Sequence, residues 1–275
     1  MHRSTRTTHL PPGTAHRPRK RFGQHFLEPA WVEKLIRAIG PASDDTFIEI
    51  GPGRGALTRP LASRAEHVTA YEIDRDLAAE LRTSMPSNVT IVEGDFLDQP
   101  PAASLQPLRV AANLPYNAAA PIMFKLVDWS RGGVPISDAT LMLQREVADR
   151  LVARPGSRDY GVLTILIGHR ATVERLLTLP PGAFRPAPKV QSAVVRLTFH
   201  PPEPPVRDER GLEALVRGVF TRRRKTLANA LRGLTPPRGQ RGQTPVASID
   251  LGRRPETLSI AEFARLADAL PLLTH

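Results

Sequence analysis

Asn113-Leu114-Pro115-Tyr116 puts an amide, bare carbonyls and an aromatic face on one tight turn, at the end of the apolar run Leu108-Arg109-Val110-Ala111-Ala112. Pro115 has no N–H and biases Leu114 toward extended backbone, so consecutive carbonyls and the Asn113 side-chain oxygen can point the same way. Such a set suits the exocyclic amino group of a flat base. Tyr116 offers a ring on which that base can stack, worth about 1–3 kcal/mol per base. Asn and Pro are also ordinary turn residues, so a plain strand-ending turn is the competing reading of these four residues.

A second constellation lies upstream. Glu49-Ile50-Gly51-Pro52-Gly53-Arg54-Gly55 follows a strand-like run and precedes a helix-like one. Its glycines, Gly51 and Gly53 foremost, allow a tight turn and close backbone approach to a ligand at a strand's carboxyl end. A Gly-rich strand-to-helix turn without a ligand has the same appearance. Two later acids favour the ligand. Glu72 ends the next strand-like run, where a carboxylate can accept both ribose hydroxyls, and Asp95 ends the third. A dinucleotide would be gripped through its pyrophosphate by a helix N-terminus, but here Pro52 removes an N–H and an acid follows each strand. S-adenosylmethionine fits better than NAD: its sulfonium is cationic, its ribose is free, and its adenine amino group can meet Asp95.

The elements that must hold these residues alternate. Phe47 to Ile50, Val68 to Tyr71, Val89 to Val92, Leu108 to Ala112 and Ala139 to Leu143 read as short buried strands, with helical spacing between them at Leu57 to Ala65 and Asp76 to Ser84. This is a doubly wound α/β pattern. Thr172 to Leu179 and Val190 to Phe199 predict a terminal antiparallel pair. Pro201-Pro202-Glu203-Pro204-Pro205 breaks regular structure, and the periodic segments beyond it, Leu212 to Phe220, Thr226 to Leu231 and Ile260 to Leu270, are helical in spacing. The segment Thr235 to Pro245 reads as a loop. The expected organisation is a flexible basic arm over residues 1–20, an α/β unit over 21–200 and a helical unit over 201–275.

Composition narrows the class. The 275 residues are 41% hydrophobic and 24% charged, with 38 Lys and Arg against 27 acidic residues, a net charge of +11. A pI near 11.0 favours a polyanionic partner, nucleic acid foremost. No apolar run approaches the roughly 18 residues of a membrane span, and the first twenty residues lack a signal-peptide core. Cys is absent, which excludes disulfides and thiolate metal sites and agrees with a cytoplasmic enzyme. The scattered histidines, His67 and His169 among them, lack metal-ligand spacing, so no metal is expected.

Nine blocks in order resemble the ribosomal RNA adenine N6,N6-dimethyltransferase family: Phe22-Gly23-Gln24-His25-Phe26-Leu27, Glu49 to Gly55, Glu72, Gly94-Asp95, Asn113 to Asn117, Gln144 to Leu151, Tyr160-Gly161, Phe184 to Ser192 and Phe220 to Leu227. The resemblance covers about Arg19 almost to the C-terminus. It implies a Rossmann-like S-adenosylmethionine-dependent domain in which the segment from His25 to Leu27 closes over the methionine part of the cofactor, Gly51 lets the backbone pass it, Glu72 holds the ribose, Asp95 binds the adenine and Asn113 sits where cofactor and target meet. Asn113 and the Pro115 carbonyl would accept from the target N6 amino group, orienting its lone pair toward the methyl carbon. Tyr116 would stack on the target base and Phe184 would clamp its other face.

The block Arg222-Arg223-Arg224-Lys225 and the helical tail resemble the small-subunit branch, with Lys189 a further RNA-binding candidate. The implied substrate is two adjacent adenines in a hairpin loop near the 3′ end of 16S rRNA, methylated by a monomer on an assembling small subunit. The alternatives are a large-subunit rRNA methyltransferase of the macrolide-resistance type and a non-catalytic ribosome-assembly factor. Two departures from the family pattern stand out: His25 where Asn is commoner, and Ala118-Ala119-Ala120 where hydroxyl residues are usual, leaving Asn117 to cap the next helix.

Overall fold

The computed structural model describes residues 26–101, 104, 106–232, 234 and 249–270. In chain order its elements are β1 (Phe26–Leu27), α1 (Pro29–Ile39), β2 (Thr46–Ile50), α2 (Thr58–Ala62), β3 (His67–Glu72), α3 (Arg75–Ser84), β4 (Val89–Glu93), β5 (Leu108–Asn113), α4 (Ala119–Arg131), β6 (Ile136–Gln144), α5 (Arg145–Leu151), α6 (Val162–Gly168), β7 (Ala171–Leu179), β8 (Phe184–Arg185), β9 (Ser192–Phe199), α7 (Glu209–Phe220), α8 (Leu227–Ala230) and α9 (Ile260–Ala269).

Seven strands form one sheet in the order β4-β3-β2-β5-β6-β9-β7. Its first five members run parallel, and β9 pairs antiparallel with both β6 and β7. The parallel strands β2 and β5 are covered on both faces, which is why they read as continuous apolar runs rather than alternating ones. The expected α/β sheet with a terminal antiparallel pair is therefore the observed architecture. The helices α1, α4 and α6 were not singled out from the sequence. The first has unambiguous signals all the same, with Pro29 opening it, Gly40 closing it at φ 61°, and a buried stripe of Val32, Leu35, Ile36 and Ile39.

Successive strands leave β2 in opposite directions, β3 and β4 to one side and β5 and β6 to the other. The carboxyl ends of β2 and β5 therefore flank the crevice where doubly wound sheets bind ligands. One apolar core fills the face under α4, around Val110, Leu126 and Leu141; a second lies under α1 and α2, around Phe47, Leu61 and Val194. A third core joins Leu212, Val219 and Phe263 of the C-terminal helices to Tyr160 and to Ile165 and Leu166 of α6. The helical unit thus packs on residues that precede the proline break.

Candidate active site

At the end of β2 the chain turns through Gly51, Gly53 and Gly55 with φ values of 72°, 59° and 77°, a left-handed region that side chains disfavour. The Gly53 amide donates to Glu72 Oε2 at 2.9 Å, and the Asp74 amide donates to Glu72 Oε1 at 2.8 Å. Backbone donors thus fix the carboxylate at the end of β3. Burial raises the Glu72 pKa, opposed by the amides of Asp74, Gly53 and Ile73 and reinforced by the Asp74 charge.

Leu27, Gly51, Gly53, Glu72, Asn113, Pro115 and Tyr116 line a single cavity of about 110 Å³. Four segments distant in sequence, from β1, β2, β3 and β5, are brought together there because β3, β2 and β5 are neighbours in the sheet. A Cβ built on Gly51 would meet nothing within 4 Å, so the backbone there faces open space. Ile73 is apolar yet 47% exposed beside Glu72 on the same wall. A carboxylate fixed by backbone amides beside an uncovered apolar side chain and a glycine cradle is a set that fits a nucleoside with a free ribose.

Glu49, a wall residue for which the sequence suggested no separate role, is fully buried, and burial pushes its pKa up to about 8, opposed by the Thr58 hydroxyl and reinforced by Glu72. Its Oε2 has no hydrogen-bond partner. The strand-ending acid was visible in the sequence, but nothing there marked it as lacking a partner.

Other expected residues lie elsewhere. Asp95 is at the end of the neighbouring β4, outside the cavity wall, where its Oδ1 accepts from the Leu97 amide at 2.9 Å and opens a short 3-10 turn, Phe96–Asp98. Lys125 of α4 clips that turn, donating to the Leu97 and Gln99 carbonyls at 2.5 and 2.6 Å. His25 lies outside the described residues, as do the basic arm and the whole of the loop expected over Thr235 to Pro245.

One expectation is corrected, and two gain partners inside the fold. Phe184 is 1% exposed and packs in the core under α1, so it offers no face to a base; β8 pairs with β1, setting Phe184 opposite Leu27 and Arg185 outward. The Pro115 carbonyl accepts the Ala118 amide at 3.0 Å in a turn, whereas no described residue donates to the Leu114 carbonyl. In the basic block, Arg223 pairs with Glu256 at 2.7 Å and donates to the Ser157 carbonyl at 3.1 Å, while Arg222 donates to the carbonyls of Asn229, at 3.3 Å, and Arg232, at 2.5 Å. Those two arginines are tied into the fold; Arg224 and Lys225 stay exposed, as does Lys189. Asn117 is exposed, and α4 starts without a side-chain cap.

Tyr116 Oη lies 3.3 Å from the buried Ser192 Oγ, which fixes the ring against β9. His67 contacts Thr90, and His169 contacts the Pro204 carbonyl. Among the described residues no group of three or more His, Cys, Asp or Glu could hold a metal ion, and no helix is long and apolar enough to cross a membrane.

The family model for ribosomal RNA adenine dimethylases matches residues 15–271. The chain belongs to the ribosomal RNA adenine dimethylase family. A Bordetella pertussis protein named ribosomal RNA small subunit methyltransferase A is 46% identical over 264 residues, covering 94% of this chain and 96% of that protein. Its namesake from Aromatoleum aromaticum is 44% identical over 256 residues, covering 92% and 94%. Among solved structures, a dimethyladenosine transferase from Plasmodium falciparum superposes with a TM-score of 0.70 at 23% identity, covering 88% of this chain and 96% of that one, and so shares the fold. The 23S rRNA methyltransferase ErmE superposes with a TM-score of 0.64 at 29% identity, covering 89% and 99%. This dimethylase is an enzyme acting on rRNA, and its methyl donor is S-adenosylmethionine.

Proposed function

We propose that this enzyme methylates N6 of two adjacent adenines, twice each, in a hairpin loop near the 3′ end of 16S rRNA, acting in the cytoplasm as a monomer on an assembling small subunit. The observation that carries the reading is the single cavity in which the fixed Glu72 carboxylate and the Asn113 to Tyr116 turn form opposite parts of one wall. The small-subunit methyltransferases at 44 and 46% identity stand closer to this chain than the large-subunit enzyme at 29%, which favours the small-subunit target.

S-adenosylmethionine supplies an electrophilic methyl group on a sulfonium. Glu72 holds the ribose hydroxyls with its fixed carboxylate. Gly51, Gly53 and Leu27 line the cofactor's path, Ile73 packs on its adenine, and Asp95, at the next strand end, takes the adenine amino group. His25 covers the methionine end.

Asn113 Oδ1 and the Leu114 carbonyl accept the two N6 hydrogens of the target base. The Pro115 carbonyl, expected from the sequence for that task, accepts the Ala118 amide and keeps a second lone pair for the same amino group. Holding both hydrogens turns the nitrogen lone pair toward the methyl carbon, an orientation and electrostatic contribution rather than base catalysis. Tyr116 stacks on the target base, which an unpaired loop can splay out. Residues 21–200 carry the chemistry, and residues 201–275 grip the RNA, with the basic arm of residues 1–20 adding charge.

Transfer of labelled methyl groups to undermethylated small subunits, large-subunit RNA and duplex DNA tests the reading. Labelling of small subunits with two methyls on each of two adjacent adenines is expected. Labelling of large-subunit RNA alone would replace the target, and the absence of any transfer with tight rRNA binding would make the protein a binding factor.

A further inference from the structure

A cleft of about 420 Å³ opens on the other side of Ser192 from Tyr116, between the start of α5 and the segment that leads into β9. Gln144, Arg145, Asp149, Asp159, Val190 and Gln191 line it. Ser192 sits opposite Gln144 across the β6–β9 pairing, directly follows Gln191, and approaches Tyr116 Oη to 3.3 Å. Ser192 therefore links residues of the cleft to the Tyr116 ring of the methyl-transfer cavity.

The cleft's chemistry differs from that of a phosphate site. Of its carboxylates, Asp149 is paired with Arg175 and Glu146 with Arg150, while no described residue donates to Asp159. Carboxylates repel phosphate but accept hydrogen bonds from an amino-bearing base edge. Arg145 donates to Gln191 Oε1 at 2.6 Å and lies 3.7 Å from Asp149, and an exposed guanidinium plane is a stacking surface for an unpaired base. Val190, an apolar side chain 44% exposed, gives that base an apolar contact. Lys189, exposed one residue earlier, can meet the strand's phosphate outside the cleft.

We propose that this cleft is a second base subsite, which takes the nucleotide adjacent to the target adenine and selects an amino-bearing purine there. The proposal rests on the small-subunit reading above. Strand polarity lets the cleft take the neighbour on one side of the target only, so it serves one of the two adenines, and the position at which a substitution is felt identifies that side.

The test uses the full-length enzyme and small subunits reconstituted from rRNA that carries adenine, or purine riboside lacking the amino group, at either one of the two target positions. Methyl transfer to the remaining adenine is followed by mass spectrometry. With wild-type enzyme the purine substitution is expected, at one of the two positions, to raise KM for the subunit about tenfold and to change kcat less than about twofold, the size of one lost charge-assisted hydrogen bond. In the exposed-site variant Asp159→Ala, KM for the all-adenine subunit should rise to the same level, and the purine substitution should then have no further effect. Equal KM values for all the subunits with wild-type enzyme, or undiminished discrimination in both Asp159→Ala and Arg145→Ala, would overturn the subsite. Absence of transfer to the all-adenine subunit would overturn the small-subunit reading and the subsite with it, a result visible before any variant is compared.

Discussion

The Gly53 amide reaches Glu72 Oε2 at 2.9 Å, so the glycine turn after β2 and the acid that ends β3 form one unit. Glycine at position 53 keeps the turn at φ 59°, and the turn in turn aims the carboxylate. Glu72→Ala should remove the two ribose contacts and leave the Gly53 and Asp74 amides without their acceptor. Each hydrogen bond to a charged group is worth about 1.5–3 kcal/mol, so cofactor affinity should fall at least about tenfold by calorimetric titration. An unchanged Kd would remove Glu72 from the cofactor site.

Gly51→Ala separates strain from obstruction. The new methyl meets no protein atom within 4 Å, but φ of 72° costs a side chain about 1–2 kcal/mol. Thermal unfolding without cofactor should show only that modest loss. The stabilisation that S-adenosylmethionine adds to wild type should shrink further, because the methyl faces the space the cofactor needs. Full cofactor stabilisation in Gly51→Ala would argue against this path.

At Tyr116 the ring and the hydroxyl have separate tasks. Tyr116→Phe loses the hydroxyl contact with Ser192 and should keep most activity, whereas Tyr116→Ala loses stacking worth about 1–3 kcal/mol. Single-turnover methyl transfer with saturating cofactor checks the order. Equal losses in both variants would make the hydroxyl, not the ring, the functional group.

The four basic residues after Phe220 should divide into pairs. Arg224→Ala and Lys225→Ala should weaken rRNA binding, each lowering the salt-dependence slope by about 1, without shifting the melting temperature. Arg223→Ala should instead cost about 1 kcal/mol of stability, since it breaks the Glu256 pair and the Ser157 contact. Filter binding over a salt series with parallel melting curves would expose any other division.

Glu49 makes folding pH-dependent in an unusual direction. In the unfolded chain it ionises near ~4.3, whereas in the fold it holds its proton until about pH 8. Between those values the folded state binds the extra proton, so this group's contribution makes stability fall as pH rises and level off above about 8. Glu49→Gln should flatten that slope in urea unfolding measured from pH 5 to 9. A slope unchanged by the substitution would show that the carboxyl ionises normally.

The strands were legible because a parallel strand covered on both faces is apolar along most of its length, as Val110 to Ala112 and, Glu49 apart, Phe47 to Ile50 are. The cavity wall followed, since strand ends that are neighbours in a doubly wound sheet share one crevice. What the sequence concealed was the partner of each residue. Phe184 resembles an exposed aromatic in a proline-rich segment until β1 pairs beside it. Arg222 and Arg223 resemble free charge until Glu256 and the α8 carbonyls are brought alongside. The Pro115 carbonyl was assigned from its lone pairs alone, and a local turn had already taken one.

Tyr160, whose hydroxyl donates to the Leu258 carbonyl at 2.7 Å, belongs with Ile165 and Leu166 to the same core as α7 and α9. A chain cut after residue 200 would carry those apolar side chains into water with nothing to cover them. The two halves therefore stand or fall together: a calorimetric scan should give one endotherm, and loosening the C-terminal helices should be felt as lost solubility of the α/β half.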